Sequence, residues 1–159
     1  MAYFVVQFWG SVHTMQDNPS PPEITRESIE RVLSFLPLFE PDYPGVLYTW
    51  TPSRMQDDGT WNMPYVTYSQ EMLRFLGALG SAGFITPYDW VAWQDEAWRY
   101  VRDPDLLKDA DLDTLRKLLT LHVRKDRFVE GHLAEMIDLG HIRAILQRLK
   151  VIYSWGGVV

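Results

Sequence analysis

The segment LDTLRKLLTLHV, residues 112–123, constrains the fold more than any other part of the sequence. Its apolar side chains recur at helical spacing, but they lie on nearly every side of the helix instead of along one stripe: Leu112, Leu115, Leu118, Leu119 and Val123. A helix that is apolar almost all round is buried on several sides. Asp111 stands where an N-cap residue is expected. This helix must therefore be packed among others.

Further helices are predicted on both sides of it. Ser20-Pro21-Pro22-Glu23 has the composition of a helix start, with Thr25 as a competing cap. Ser69 is expected to cap a helix whose buried face is formed by Met72, Leu73, Leu76 and Leu79. A helix start is also predicted at Thr86-Pro87-Tyr88-Asp89, with Trp90, Trp93, Ala97 and Val101 on one face. Two more helices are predicted near 129–139 and 141–153, with Gly140 as the stop between them.

Residues 44–68 have a different pattern. VLYTW and YVTY are β-prone, Asp57-Asp58-Gly59 between them is typical of a turn, and Pro64 confines the second run to an edge strand. The fold class predicted is mainly α: a single compact helical domain of five or six helices with a small β-hairpin near 46–68.

The domain boundaries follow from composition. Residues 1–22 are predicted to be an aromatic arm and a linker, with Met15 as an alternative start, and residues 23–159 to be one helical domain. The chain has 159 residues, of which 47% are hydrophobic, enough for one substantial core. An apolar arm such as residues 1–10 could add a strand to a partner or to a second copy, giving a homodimer.

Composition also excludes several classes of function. There is no cysteine, which rules out disulfide scaffolds, thiolate zinc sites and cysteine nucleophiles. No apolar run is long enough to span a bilayer, and no signal peptide is recognised, so we expect a soluble, cytoplasmic protein without a membrane partner. No nucleophile elbow, Walker loop or His-Glu-x-x-His helix occurs. No cofactor is predicted, and binding is favoured over catalysis.

The charge distribution points to residues 123–133, VRKDRFVEGHL. The chain carries 15 basic and 21 acidic residues, but residues 116–150 hold 8 of the basic ones and only 4 of the acidic ones. Arg124, Lys125 and Arg127 could bind an anion such as a phosphate or carboxylate, with Phe128 and His132 beside them. The alternative is that Asp126 and Glu130 neutralise these cations.

The histidines suggest two further roles. His132, Glu135, Asp138 and His141 pair at i,i+3 spacing, as metal ligands do on one helical face. Because Gly140 is expected to interrupt the helix between them, no metal site is predicted. His122 follows Leu115 and Leu119 on a buried stripe and is expected to be a hydrogen-bonded core residue.

The features from PYDWVAWQDEA to the end of DLDTLRKLLTLHVRKDRFVEGHLAEMIDLGHIRAILQRLK together resemble an uncharacterised bacterial domain family. Its pattern is a W-x-x-W helix, a leucine-rich helix and an Arg-x-x-Arg-Phe-x-x-Gly corner, here Arg124, Arg127, Phe128 and Gly131. The resemblance covers about residues 24–150. Relatives often carry a cysteine where this chain has Val129, so a thiol-based role is not expected here. Some are joined to macrodomains, which implies an ADP-ribose context by association only.

Three functional hypotheses result. The favoured one is a non-catalytic binding or regulatory domain for an anionic ligand, namely a nucleotide, an ADP-ribose-like compound or, with weaker support, nucleic acid. Its predicted ligand-binding residues are Arg124, Lys125, Arg127, Phe128 and His132. The second is a small enzyme acting on such a nucleotide, with His132 as acid or base. The third is an interaction module that uses residues 1–10.

Overall fold

The computed structural model of the chain describes residues 22–156 and confirms the mainly α fold. Within those residues it contains six α-helices and four short strands. The helices are α1 (Arg26–Leu33), α2 (Gln70–Ser81), α3 (Gln94–Arg102), α4 (Leu112–Lys125), α5 (His132–Asp138) and α6 (His141–Ser154). The strands are β1 (Tyr48–Thr51), β2 (Arg54–Met55), β3 (Trp61–Asn62) and β4 (Tyr65–Tyr68). Short 3₁₀ turns occupy Leu36–Phe39 and Pro104–Asp109.

Helix α4 is buried on several sides, as its leucine pattern predicts. It packs against α3, α5 and α6, and α6 also contacts α1 and α5. The residues that share the core with α4 come from every other helix and include Ile29, Phe75, Ala97, Met136 and Ile145. Complete burial of side chains of this size contributes about 1.5–3 kcal/mol each, so the helical core supplies most of the favourable free energy of folding.

The N-caps agree with the sequence at three helices. Asp111 Oδ1 accepts from Thr114 N at 2.8 Å at the start of α4, and Ser69 Oγ accepts from Met72 N at 3.2 Å at the start of α2. Thr25 caps α1 through Ser28 N. Helix α1 therefore begins at Arg26, and the start predicted at residues 20–23 is wrong. Ser20 and Pro21 lie outside the described residues, as does the arm at residues 1–10.

The hairpin near residues 46–68 is confirmed. Strand β1 pairs antiparallel with β4, with Tyr48 opposite Tyr68. After an interruption in both strands, β2 pairs antiparallel with β3. The turn lies at Asp57-Asp58-Gly59, where Gly59 adopts φ +82°. Asp58 Oδ1 accepts from Thr60 N at 2.9 Å and closes it. Both strands of this two-stranded ribbon are edges, which accommodates Pro64.

Helix α3 begins later than its sequence suggests. It starts at Gln94, whereas Trp90 and Trp93 lie in turns before it, and Asp89 Oδ1 accepts from Ala92 N within those turns. Both tryptophans are still partly buried against the core. Their i,i+3 spacing is the spacing of residues on one face of a helix, but their backbone is not helical.

Helix α5 is also shorter than predicted. The amide groups of Phe128 and Val129 both donate to the carbonyl of Lys125, which closes a turn at the end of α4. The left-handed backbone of Gly131 then separates that turn from α5, so the helix begins at His132 and not near residue 129. Gly140, at φ +73°, ends α5 as predicted.

The predicted buried face of α2 needs one correction. Leu73 is 48% exposed, and Phe75 occupies the core instead, against Phe39. No helix in residues 22–156 is both long enough and apolar enough to cross a bilayer.

Candidate functional site

The corner between α4 and α5, residues 124–132, is held in place by the hairpin. The ring of Trp50 lies where a Cβ on residue 131 would be, and Val66 packs beside it. Gly131 also has φ +76°, a conformation that side-chain-bearing residues rarely adopt. Only glycine meets both requirements, so the glycine after the basic segment fixes how the hairpin docks on this corner.

The two carboxylates of the corner bind the hairpin and the backbone. Asp126 Oδ1 accepts from Tyr68 Oη and from Leu133 N, each at 2.8 Å, and Glu130 Oε1 accepts from Val66 N at 2.6 Å. Burial raises the pKa of Tyr68, and its hydrogen bond to Asp126 raises it further. The acids that could have neutralised the basic residues therefore have other partners.

The arginines of the corner are correspondingly free. Within residues 22–156, neither Arg124 nor Arg127 makes an ion pair with a carboxylate or a side-chain hydrogen bond. Arg124 is half-buried and Arg127 is exposed. Phe128 is 78% exposed and stacks on Trp90, with ring centroids 5.9 Å apart and planes at 27°. In the described residues, the corner thus carries two guanidinium groups without a carboxylate partner, and an exposed phenylalanine stacked on Trp90.

A cavity of about 260 Å³ lies next to this corner, between α3 and the end of α4. Lys125 and His132 are on its wall, and the Lys125 ammonium group lies 5.4 Å from the centre of the Trp98 ring. Arg124, Arg127 and Phe128 do not line it. Its lining residues in the range 22–156 are Val91, Gln94, Asp95, Ala97, Trp98, Leu121, His122, Lys125 and His132.

Three histidines form a buried cluster behind that wall. His122 Nδ1 and His132 Nε2 are 2.9 Å apart, a hydrogen bond that needs one proton between them. The His141 ring packs edge-on against His122, with centroids 4.9 Å apart. His122 is buried as predicted, but only one of its two ring nitrogens is hydrogen-bonded to a described residue. Among the described residues, neither Nε2 of His122 nor Nε2 of His141 has a hydrogen-bond partner.

The cluster is neutral near pH 7. Burial lowers the pKa of His132 from 6.5 to about 4, and the Lys125 ammonium group adds to the shift. Burial likewise lowers the pKa of His141 to about 4, with a smaller effect from His132. For His122, burial is again the main cause, and the pKa lies well below its usual value. Neutral imidazoles donate from one nitrogen and accept at the other.

The structure brings together only part of the predicted site. Lys125 and His132 share the cavity, whereas Arg124, Arg127 and Phe128 lie outside its lining. His122, Trp98, Gln94 and Asp95 are additional cavity residues that were not predicted as site residues. His122 could have been predicted from the sequence, because its i,i+3 spacing from Lys125 places both residues on one side of α4.

The acidic partners considered for a metal site are separated from these histidines. Asp138 Oδ2 accepts from Tyr48 Oη at 2.5 Å, and Glu135 is exposed. Within the described part of the chain, no group of three or more histidine, aspartate or glutamate residues is arranged to hold a metal ion.

Comparison with known proteins gives one result. The model of DUF6508, a family of unknown function, matches residues 24–155. This range agrees with the resemblance seen in the sequence and includes the corner, the cavity lining and the three histidines. No curated protein and no solved structure shows a significant match to the chain.

Proposed function

The chain belongs to DUF6508, a family of unknown function, and we propose from the geometry of the corner that it is a non-catalytic binding domain for an anionic ligand. Arg124 and Arg127 would hold the anion at the surface, with Phe128 as an aromatic contact. Lys125 and His132 extend the same site into the cavity. We further propose that binding takes place in the cytoplasm, because a chain without cysteine suits a reducing compartment.

One observation carries this proposal: the nearest acids are occupied elsewhere. Asp126 and Glu130 accept hydrogen bonds from hairpin groups, and in the described residues neither Arg124 nor Arg127 has a carboxylate partner. A guanidinium group offers five donors in a rigid plane and binds carboxylate or phosphate through two of them. Two such groups on one corner are therefore available to an external anion.

Binding is favoured over catalysis by the state of His132. A general base works best when its pKa lies near the working pH, and the pKa of His132 is about 4. At pH 7 it is neutral, but it accepts a proton weakly. Of the residues in the described part of the chain, no serine, threonine or cysteine lines the cavity for it to activate. A neutral His132 is better suited to donating a hydrogen bond.

A thermal-shift series tests the proposal. The probes are AMP, ADP-ribose and a short single-stranded oligonucleotide, each at low and moderate salt. At 100 times Kd, a ligand stabilises the fold by about 2.7 kcal/mol. We expect stabilisation by at least one probe that survives moderate salt and is lost in the Arg124→Ala/Arg127→Ala double variant.

The matched control is Arg74→Ala, which removes an exposed arginine from α2, away from the corner. It should leave the stabilisation unchanged. If no anion stabilises the protein, or if the double variant behaves like the control, the proposal is wrong. Stabilisation that disappears at moderate salt would indicate only nonspecific charge attraction.

A further inference from the structure

The cavity beside the corner is small and enclosed on its inner side by the core. Its volume of about 260 Å³ lies just below the range of roughly 300–1,000 Å³ typical of drug-sized ligands. It can therefore take a small molecule or one group of a larger molecule.

Two polar groups of the cavity wall are suited to an oxyanion. Lys125 is half-buried and makes no ion pair within residues 22–156. His132 Nε2 is bonded to His122, but His132 Nδ1 has no hydrogen bond in the described residues and is not among the fully enclosed unpaired atoms. An ammonium group and an imidazole N–H on one wall can together hold one carboxylate.

The hydrogen bond between His122 and His132 couples their tautomers. If His132 donates from Nδ1 to a ligand, its Nε2 must accept, and His122 must donate from Nδ1. The remaining nitrogen, His122 Nε2, then carries only a lone pair, in agreement with its lack of an acceptor. An anion at His132 would thus fix the proton positions of both rings.

The rest of the cavity limits the charge and character of the occupant. Val91, Ala97, Trp98 and Leu121 make much of the lining apolar, and Asp95 places a negative charge there as well. Among the described lining residues Lys125 is the only cation, and the histidines are neutral. Lys125 and Asp95 together give the described lining no net charge, so a second negative charge on the ligand would have no cation to pair with.

We propose that this cavity binds a small monocarboxylate with an apolar or aromatic body. Its carboxylate lies between Lys125 Nζ and His132 Nδ1–H, and its body packs against Trp98. This inference rests on the proposed function, which it deepens by naming the ligand class and the deeper subsite. Arg124 and Arg127 keep the outer contact proposed above, and the cavity wall recognises the carboxylate.

Isothermal titration calorimetry with matched pairs tests the proposal. Benzoate, phenylacetate and 3-methylbutanoate are compared with benzamide, phenylacetamide and 3-methylbutanamide, which have nearly the same shape but no charge. We expect at least one carboxylate to bind and its amide to bind at least tenfold more weakly. Lys125→Met should weaken carboxylate binding by about tenfold or more, since it removes a charge-assisted contact.

A second variant tests the cavity by substituting an exposed residue and not a core residue. Val91 is 57% exposed at the cavity, so Val91→Trp should block the opening without disturbing folding, and Val46→Trp at a 68% exposed position outside the cavity is its control. Binding should be lost in the first variant and kept in the second. Histidine ¹⁵N spectra should show His132 protonated on Nδ1 when the carboxylate is bound.

The outcomes separate the two proposals. If amides bind as well as carboxylates, if no carboxylate binds, or if Val91→Trp leaves binding intact, the cavity assignment is wrong. If AMP or ADP-ribose stabilises the protein through Arg124 and Arg127 while no carboxylate binds, the proposed function stands and only the cavity assignment fails. If none of the anions binds, both fail.

Discussion

Mild acid should destabilise this fold through its buried histidines. His132 and His141 each have a pKa of about 4 in the folded protein, compared with 6.5 for the unperturbed side chain. Below pH 6.5 the unfolded chain therefore binds protons that the folded chain does not. The free energy of unfolding consequently falls as the pH falls, and for these two groups the loss is complete only below about pH 4.

The magnitude is large relative to the stability of a domain of this size. At pH 5 each of the two histidines lowers the free energy of unfolding by about 2 kcal/mol, since one pH unit corresponds to about 1.4 kcal/mol per proton. Together they remove about 4 kcal/mol from a total of about 5–15 kcal/mol. The shift of His122 acts in the same direction.

Urea unfolding at pH 7, 6 and 5, followed by tryptophan fluorescence, measures the effect. The variant His141→Leu removes one of the titrating rings and its unpaired Nε2. Its loss of stability between pH 7 and pH 5 should be smaller than that of the parent chain by about 2 kcal/mol. If the parent chain loses less than about 1 kcal/mol over this interval, the histidines are not buried in the neutral form as described.

Two further predictions concern the corner. Gly131→Ala should destabilise the fold by about 2–4 kcal/mol in urea unfolding, because it combines positive-φ strain with a clash against Trp50. The control Gly140→Ala, which has a similar φ but open space around it, should cost only about 1 kcal/mol. Equal effects of the two substitutions would contradict the Trp50 contact. Tyr68→Phe should cost about 1–2 kcal/mol by the same measurement, since Asp126 loses a hydrogen bond from the hairpin; no change would show that the bond does not position the hairpin.

The helices that the sequence predicts well are those whose ends are decided locally. Asp111 and Ser69 cap α4 and α2 because a short polar side chain can reach an amide three residues ahead wherever the backbone allows it. The hairpin turn is predictable for the same reason, since Gly59 and Asp58 close it by themselves. Such features require no knowledge of the rest of the fold.

The features that the sequence does not reveal depend on distant parts of the chain. Trp90 and Trp93 are spaced as on a helix, yet the core holds them in turns, so periodicity alone places the start of α3 too early. The histidine cluster joins the end of α4 to the first residues of α5 and α6. Its members are ten and nine residues apart, which corresponds to no single helical face. Only the two reversals at Gly131 and Gly140 bring them together.

The way the hairpin docks has an electrostatic consequence. It removes Asp126 and Glu130 from competition by giving each a donor of its own, Tyr68 Oη and Val66 N. A chain shortened by deleting residues 48–68 would leave the Asp126 and Glu130 carboxylates without these donors and free to turn toward the arginines. Affinity for anions would then fall although every residue that touches the anion is still present. The ribbon thus controls the direction in which the two acids of the corner point.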